Sequence, residues 1–324
     1  MKEKLENFDA IDPINQTHLF GHNFFFNTLV NLINKQNISS PILLSGQKGL
    51  GKSTLAFHIT NYLLSINDIN KYNIDDFSFT KNSQTYSLIN NNIHPNFFLI
   101  KSYSNSGEIK IDQIRDLLSF LSKSTYSRDL KIVIIDNIEK LNVNAINALL
   151  KALEEPNSNT LFFIIHDNSY KLIDTIKSRC IEFKIFFNRQ EKRNIFTNIQ
   201  NQYPFIKNIN FFEDFLDFDS PGNVINYVLS LKKANLENDF TTLTCILYLI
   251  KLYEVEKNSE IVSHLCVFIE KFYRDAFYYN KNKFNFYFNN YTKIINDLRN
   301  LQNFNLDTKN ILFSIKETLL NDSK

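Results

Sequence analysis

Three of the six glycines of this 324-residue chain fall within six positions, at Gly46, Gly49 and Gly51. The segment Gly46-Gln47-Lys48-Gly49-Leu50-Gly51-Lys52-Ser53-Thr54 carries the spacing G-x-x-x-x-G-K-[ST] of a phosphate loop. A chain otherwise sparing with glycine thus places backbone freedom where several amide N–H groups must turn toward one anion. The flanks fit. Pro41-Ile42-Leu43-Leu44 is a short apolar run of strand type, and Lys52 to Leu64 reads as a helix with Leu55, Ile59, Tyr62 and Leu63 on one side. Strand, glycine loop and helix N-terminus together form a phosphate site. In such a site Lys52 reaches the β- and γ-phosphates and the Ser53 hydroxyl holds Mg²⁺, so ATP or ADP with Mg²⁺ is the expected ligand.

The first 185 or so residues alternate strand and helix, the pattern of an open parallel α/β sheet. Five strands are expected, at Ile42–Ser45, Phe97–Lys101, Lys131–Ile135, Thr160–Ile165 and Ile181–Ile185. The middle three are continuous apolar runs, as in strands covered on both faces, whereas Ile181, Phe183 and Ile185 alternate with Glu182 and Lys184 as an edge strand would. Ile111, Ile114, Leu117, Leu118 and Leu121 share one helical stripe. So do Val143, Ile146, Leu149, Leu150 and Leu153, with Asn142 as cap and Pro156 as stop. Residues 67–92 are polar and poorly periodic, and read as an inserted surface loop with one helix at most.

Beyond residue 187 strand signals end. Residues 188–233 read as a small helical unit broken at Ser220-Pro221-Gly222, followed by amphipathic helices at about 239–256, 259–279, 285–302 and 307–321. Phe268, Phe272 and Phe277 recur there at helical spacing, which favours core packing over base stacking. The domain boundaries expected are 1–187 for a nucleotide-binding α/β domain, 188–235 for a helical lid and 236–324 for an all-α domain.

Composition narrows the classes. At 44% hydrophobic and 22% charged residues the chain is an ordinary folded protein, and a net charge of +2 gives no global pull toward nucleic acid or membrane. Cys180, Cys245 and Cys266 are widely spaced and form no metal-ligand pattern, so zinc is not expected. Without a signal core or a run of 18 apolar residues, the expectation is a cytoplasmic protein with no membrane segment.

Lys131-Ile132-Val133-Ile134-Ile135-Asp136 is a buried strand ending in a carboxylate, placed either to help hold Mg²⁺ or to cap the following turn. The next position, where ATPases of this type carry a glutamate that orients water, is Asn137. An amide takes up no proton near neutral pH and cannot act as a base. His166-Asp167-Asn168-Ser169 follows the strand Thr160–Ile165 at the end where ligands bind, so His166 or Asp167 could sense a γ-phosphate or simply build a turn. Arg179, at a helix end before a strand, reads by itself as a cation favoured by a helix C-terminus.

In the order in which they occur, Leu19-Phe20-Gly21-His22, the phosphate loop, His94-Pro95, Ile111-Asp112-Gln113-Ile114-Arg115, Asn147-Ala148-Leu149-Leu150-Lys151-Ala152-Leu153-Glu154-Glu155-Pro156 and Ser178-Arg179-Cys180 resemble the bacterial DNA polymerase III clamp-loader subunits, and among them the delta-prime family. The resemblance covers about residues 15–185; beyond it only layout and length agree. It implies an AAA+ P-loop domain with a five-stranded parallel sheet, a helical lid and an all-α collar. It also implies a hetero-pentameric ring with gamma/tau and delta subunits that acts on the sliding clamp and on primer-template DNA. By the same resemblance Arg179 is an arginine finger acting in trans on ATP bound by a neighbouring subunit, and the chain itself serves as a stator.

The sequence departs from the family in Asn137, in Asn223 where motor subunits often carry a sensing arginine, and in lacking a four-cysteine zinc module; its phosphate loop, by contrast, is intact. Asn137 and Asn223 argue against a gamma-type ATPase motor. A self-contained kinase or hydrolase would leave the Ser-Arg-Cys segment and the helical C-terminus without a role, and an AAA+ helicase or recombination loader would need intact hydrolysis residues.

Overall fold

The structure is a computed structural model that describes residues 12–35, 40–102, 107–123, 130–154, 159–203, 210–236, 240–303 and 308–323. Strands β1 (Ile42–Gly46), β2 (Phe97–Ile100), β3 (Lys131–Ile135), β4 (Thr160–Asp167) and β5 (Ile181–Lys184) form one sheet in the order β2-β3-β4-β1-β5. Every pairing is parallel. The strands are linked through helices α1 (Asn23–Asn34, before β1), α2 (Lys52–Leu64), α3 (Gln84–Asn90), α4 (Ile111–Ser122), α5 (Val143–Glu154) and α6 (Asp174–Lys177). The chain continues with α7 (Arg189–Gln202), a 3-10 segment (Asn210–Asp217) and α8 (Pro221–Lys233).

Successive residues of a strand point to opposite faces, so a strand covered on both sides must be apolar throughout. The central strands show this directly. Ile42, Leu44, Ile132, Ile134, Leu161, Phe163 and Ile165 bury on one face with Phe26 and Leu29 of α1 and Leu55, Phe57 and Ile59 of α2. Leu43, Val133, Ile135, Phe162 and Ile164 bury on the other with Ile114 and Leu117 of α4 and Ile146, Leu149 and Leu153 of α5.

Three expectations are corrected. The run at Phe97–Lys101 ends at Ile100 and forms an outer strand: Phe97 and Ile100 are buried in the cores on opposite faces of the sheet, and Phe98 and Leu99 are half-buried. Strand β4 continues past Ile165 through His166 and Asp167, which are therefore strand residues. Residues 67–92 are not merely a surface loop, because Tyr72, Phe79, Tyr86 and Ile89 enter the core. Tyr72 stacks on Phe26 at 5.4 Å, and its hydroxyl lies 2.9 Å from Nδ1 of the buried His58. Asp68 ties the segment together by accepting from the Ser83 hydroxyl at 2.8 Å and the Thr85 N–H at 2.9 Å. Pro156, the expected helix stop, lies outside the described residues, but Asn142 caps α5 as anticipated by accepting from the Ala145 N–H at 2.9 Å.

The chain divides into two compact units, Met1–Asn208 with Phe215–Asn223, and Ile209–Asp214 with Val224–Lys324. The second contains α9 (Thr242–Glu256), α10 (Ser259–Tyr279), α11 (Phe284–Asn303) and α12 (Thr308–Asp322). In it α9 packs on α10, α10 on α11, and α12 on both α9 and α11. Leu249, Leu265, Phe268, Tyr273, Leu298 and Leu319 fill this core, which accounts for part of the aromatic spacing. The helix starts expected at 239 and 307 fall outside the described residues. No described helix is long and apolar enough to cross a membrane.

His22 and His58 are both buried, and burial pulls them down from 6.5 to about 4 and about 3. A base whose folded value lies below its unfolded value stabilises fully above the unfolded value, and that stability is lost as the pH falls from 6.5 toward the folded value. The denaturation midpoint is expected to drop between pH 7 and pH 4.5, with a shallower slope in His58→Gln; equal slopes in the two proteins would show that His58 does not carry the effect.

Candidate nucleotide-binding site

In a parallel sheet the carboxyl ends of all strands share one rim, and the register brings three segments together there. Gly46, at the end of β1, pairs with Asp167 at the end of β4, and Ile135, just before Asp136, pairs with Ile164. The loop from Gly46 to Gly51 then turns into α2. Gly49 (φ 80°) and Gly51 (φ 76°) are left-handed, a region that costs other residues a steric penalty. A β-carbon on Gly49 would lie 2.7 Å from the Asn223 backbone nitrogen, and one on Gly51 would lie 2.9 Å from His22 Nε2.

Lys52 is buried, and its ammonium donates to the carbonyls of Gly46 and Gln47, both at 2.7 Å. Burial pulls it down to about 8, while the carboxylates of Asp167, Glu139 and Asp136 oppose the shift. The Ser53 hydroxyl donates to Asp136 Oδ1 at 3.0 Å. Burial raises the Asp136 carboxyl against the effects of that bond and of Lys52. A glycine cradle, a partly desolvated lysine and a serine–aspartate pair make a donor set that fits a triphosphate with a hard divalent cation. Asn137 takes a left-handed conformation (φ 59°, ψ 62°), which asparagine tolerates better than most residues.

His166 and Asp167 are both on the rim. His166 Nε2 bonds the Tyr170 carbonyl at 3.1 Å, and Asp167 Oδ1 accepts the Ser169 N–H at 3.1 Å, so both side chains also build the turn after β4. Thr54 lies in the first turn of α2. Arg179 is elsewhere. It stands two residues before β5, whose first residue Ile181 pairs with Ile42 at the amino end of β1. From there to Gly46 the strand alone spans roughly 13 Å at about 3.3 Å per residue. Arg179 is therefore on the opposite rim from this chain's phosphate loop.

Three residues were not assigned to the site from the sequence, although His22 stands in the Leu19-Phe20-Gly21-His22 stretch. Glu139 accepts the Asp167 N–H at 3.3 Å and is raised by burial. Buried His22 has Nε2 2.8 Å from the Leu50 carbonyl, which holds the loop from below. Asp219 is also buried, and its Oδ1 accepts from the Gln47 side chain at 3.1 Å, the Asn223 side chain at 2.8 Å and the Ser220 N–H at 2.7 Å. The Gly222 N–H adds a bond to the Gly49 carbonyl at 3.0 Å. The start of α8 is thereby clasped to the phosphate loop. Only the Ser220-Pro221-Gly222 break hinted at this.

A parallel β2-β3-β4-β1-β5 sheet with a phosphate loop after β1 defines an AAA+ P-loop protein. A solved gamma subunit-related protein of DNA polymerase III from Thermotoga maritima superposes over 92% of this chain and 99% of its own length, with a TM-score of 0.54 at 16% identity, a likeness of fold alone. The family described as DNA polymerase III, delta subunit, matches residues 21–188, and the chain belongs to it. DNA polymerase III subunit delta′ of Pseudomonas aeruginosa is 34% identical over 140 residues, covering 43% of this chain and 41% of that protein. The subunit delta′ of Buchnera aphidicola subsp. Schizaphis graminum is 28% identical over 205 residues, covering 63% and 60%. The matches thus span less than two thirds of these relatives' lengths.

Asp219→Ala removes the acceptor shared by Gln47, Ser220 and Asn223. Amide exchange at Gly222 and through residues 47–51 is expected to quicken by about tenfold or more, as for loss of a buried charged acceptor. Unchanged exchange would mean that the clasp does not depend on this carboxylate.

Proposed function

We propose that this chain is a delta-prime-type, non-motor subunit of a bacterial clamp loader, working in the cytoplasm. Its partners in this reading are gamma/tau and delta subunits in a hetero-pentameric ring, the sliding clamp, and primer-template DNA reached through the assembled complex. Residues 1–187 form the AAA+ domain, 188–235 a lid and 236–324 a collar. The phosphate loop, with Lys52 and the Ser53–Asp136 pair, holds ATP or ADP with Mg²⁺ as a static or slowly turned-over ligand; the cation would supply charge neutralisation between the phosphates.

The observation that carries the reading is the position of Arg179. Its guanidinium is partly exposed and on the rim of the sheet away from its own phosphate loop, which supports a role at a site outside this chain. A fixed guanidinium beside a transferring phosphoryl group neutralises charge that develops there. Hydrolysis by the chain itself is disfavoured by Asn137, which has no proton-accepting group. Asn223, in the lid, is bound to Asp219 and offers no charge to a γ-phosphate.

Arg179→Ala is expected to leave nucleotide binding by this chain intact while lowering ATPase of the reconstituted loader by about 10³-fold at the affected site. If the substitution instead abolishes this subunit's own nucleotide binding, the trans role is wrong. Lys52→Ala should do the reverse, removing binding of a fluorescent ATP analogue to the isolated chain. Retained affinity in that variant would exclude the loop as the phosphate site.

A further inference from the structure

We propose that Glu154 is a positioning residue for Arg179, holding the guanidinium in the place where a phosphate will take it over. The inference rests on the reading of Arg179 as a group that acts in trans. Arg179 Nη2 donates to Glu154 Oε1 at 2.7 Å. Its Nη1 donates to the Thr175 carbonyl at 2.9 Å and approaches the Ser178 hydroxyl at 3.4 Å. The two sides of this clamp come from different elements, Glu154 from the last residue of α5 and Thr175 and Ser178 from α6 and its end. Leu149 and Leu153, buried beneath the sheet, anchor the α5 turn that carries Glu154.

A guanidinium has five N–H donors in a rigid plane. The three contacts leave Nε–H and one Nη2–H unclaimed by described residues, enough for a two-point contact with phosphate oxygens. A long arginine side chain has many rotamers, and one that must meet a phosphate across a subunit boundary loses rate for every conformer pointing elsewhere. The pair is also open to water, with side-chain exposures of 34% for Arg179 and 51% for Glu154. Exposed ion pairs contribute little to stability. The carboxylate can therefore order the guanidinium and still yield to a more highly charged phosphoryl group. A buried partner would hold it too tightly.

The test uses the full chain reconstituted with gamma/tau and delta subunits, comparing Glu154→Ala, Glu154→Gln, Arg179→Ala and the Ala–Ala double variant. Glu154→Ala is expected to lower kcat for ATP about tenfold with KM unchanged, the scale of disordering one long side chain. Glu154→Gln, whose amide oxygen still accepts from Nη2, should recover most of that loss. The double variant should fall no further than Arg179→Ala alone. In the isolated chain, the guanidinium N–H resonance of Arg179, assigned by its loss in Arg179→Lys, should be sharp in the wild type and broaden in Glu154→Ala. The proposal is overturned by an unchanged or raised kcat in Glu154→Ala, by a further loss in the double variant, by equal losses in both Glu154 variants with lowered melting temperatures, or by an unaltered resonance. If Arg179→Ala itself leaves the ATPase unchanged, the trans reading fails, and the resonance still decides whether Glu154 orders this side chain.

Discussion

Strand polarity governs the chemistry of this chain. In a parallel sheet all carboxyl ends face one way, and here that rim holds the phosphate loop after Gly46, the Ser53–Asp136 pair and Asp167. The amino ends of β4 and β5 lie on the other rim, and Glu154 and Arg179 meet close to the start of β5. No rotamer change carries a guanidinium across the strand length that separates the two. The glycine loop and the Arg179 guanidinium thus lie on opposite rims of one sheet, too far apart for either to act on the other.

The cradle is held ready by contacts within its own unit. Lys52 is satisfied by two loop carbonyls, His22 supports Leu50, and Asp219 with Gly222 fastens the start of α8 to Gln47 and Gly49. Buried polar groups are costly unless paired, and here the His22 and Asp219 pairings join segments far apart in sequence. Lys52 is bound to the carbonyls of Gly46 and Gln47, and the side chain of Gln47 is bound to Asp219. One residue, Gln47, therefore joins the lysine's acceptors to the Asp219 carboxylate.

Much of this was legible in the sequence because it is local. The glycine loop, the apolar runs of β1, β3 and β4, the helix from Lys52 and the four C-terminal helices each announce themselves by spacing or period. The misreadings have physical causes. Phe97–Ile100 carries a continuous apolar run although it is an outer strand, because its residues pack into the cores on both faces; the run alone overshoots its end by one residue. Residues 67–92 look like surface because asparagines and aspartates surround the widely spaced Tyr72, Phe79 and Tyr86, of which Tyr72 meets Phe26, Phe79 meets His58 and Tyr86 stacks on Phe79. The Gln47–Asp219 bond joins positions 172 apart and the Glu154–Arg179 pair positions 25 apart, distances at which no period exists to be read.

Asn137 has a consequence beyond its missing carboxylate. Its left-handed backbone is a conformation in which most residues with a β-carbon incur roughly 1–2 kcal/mol, and asparagine incurs less. Installing glutamate there would place an acid on a backbone it tolerates less well than asparagine, so the position of its carboxylate would depend on reshaping the turn as well. A single substitution at this position therefore acts on the shape of the turn before it acts on any chemistry.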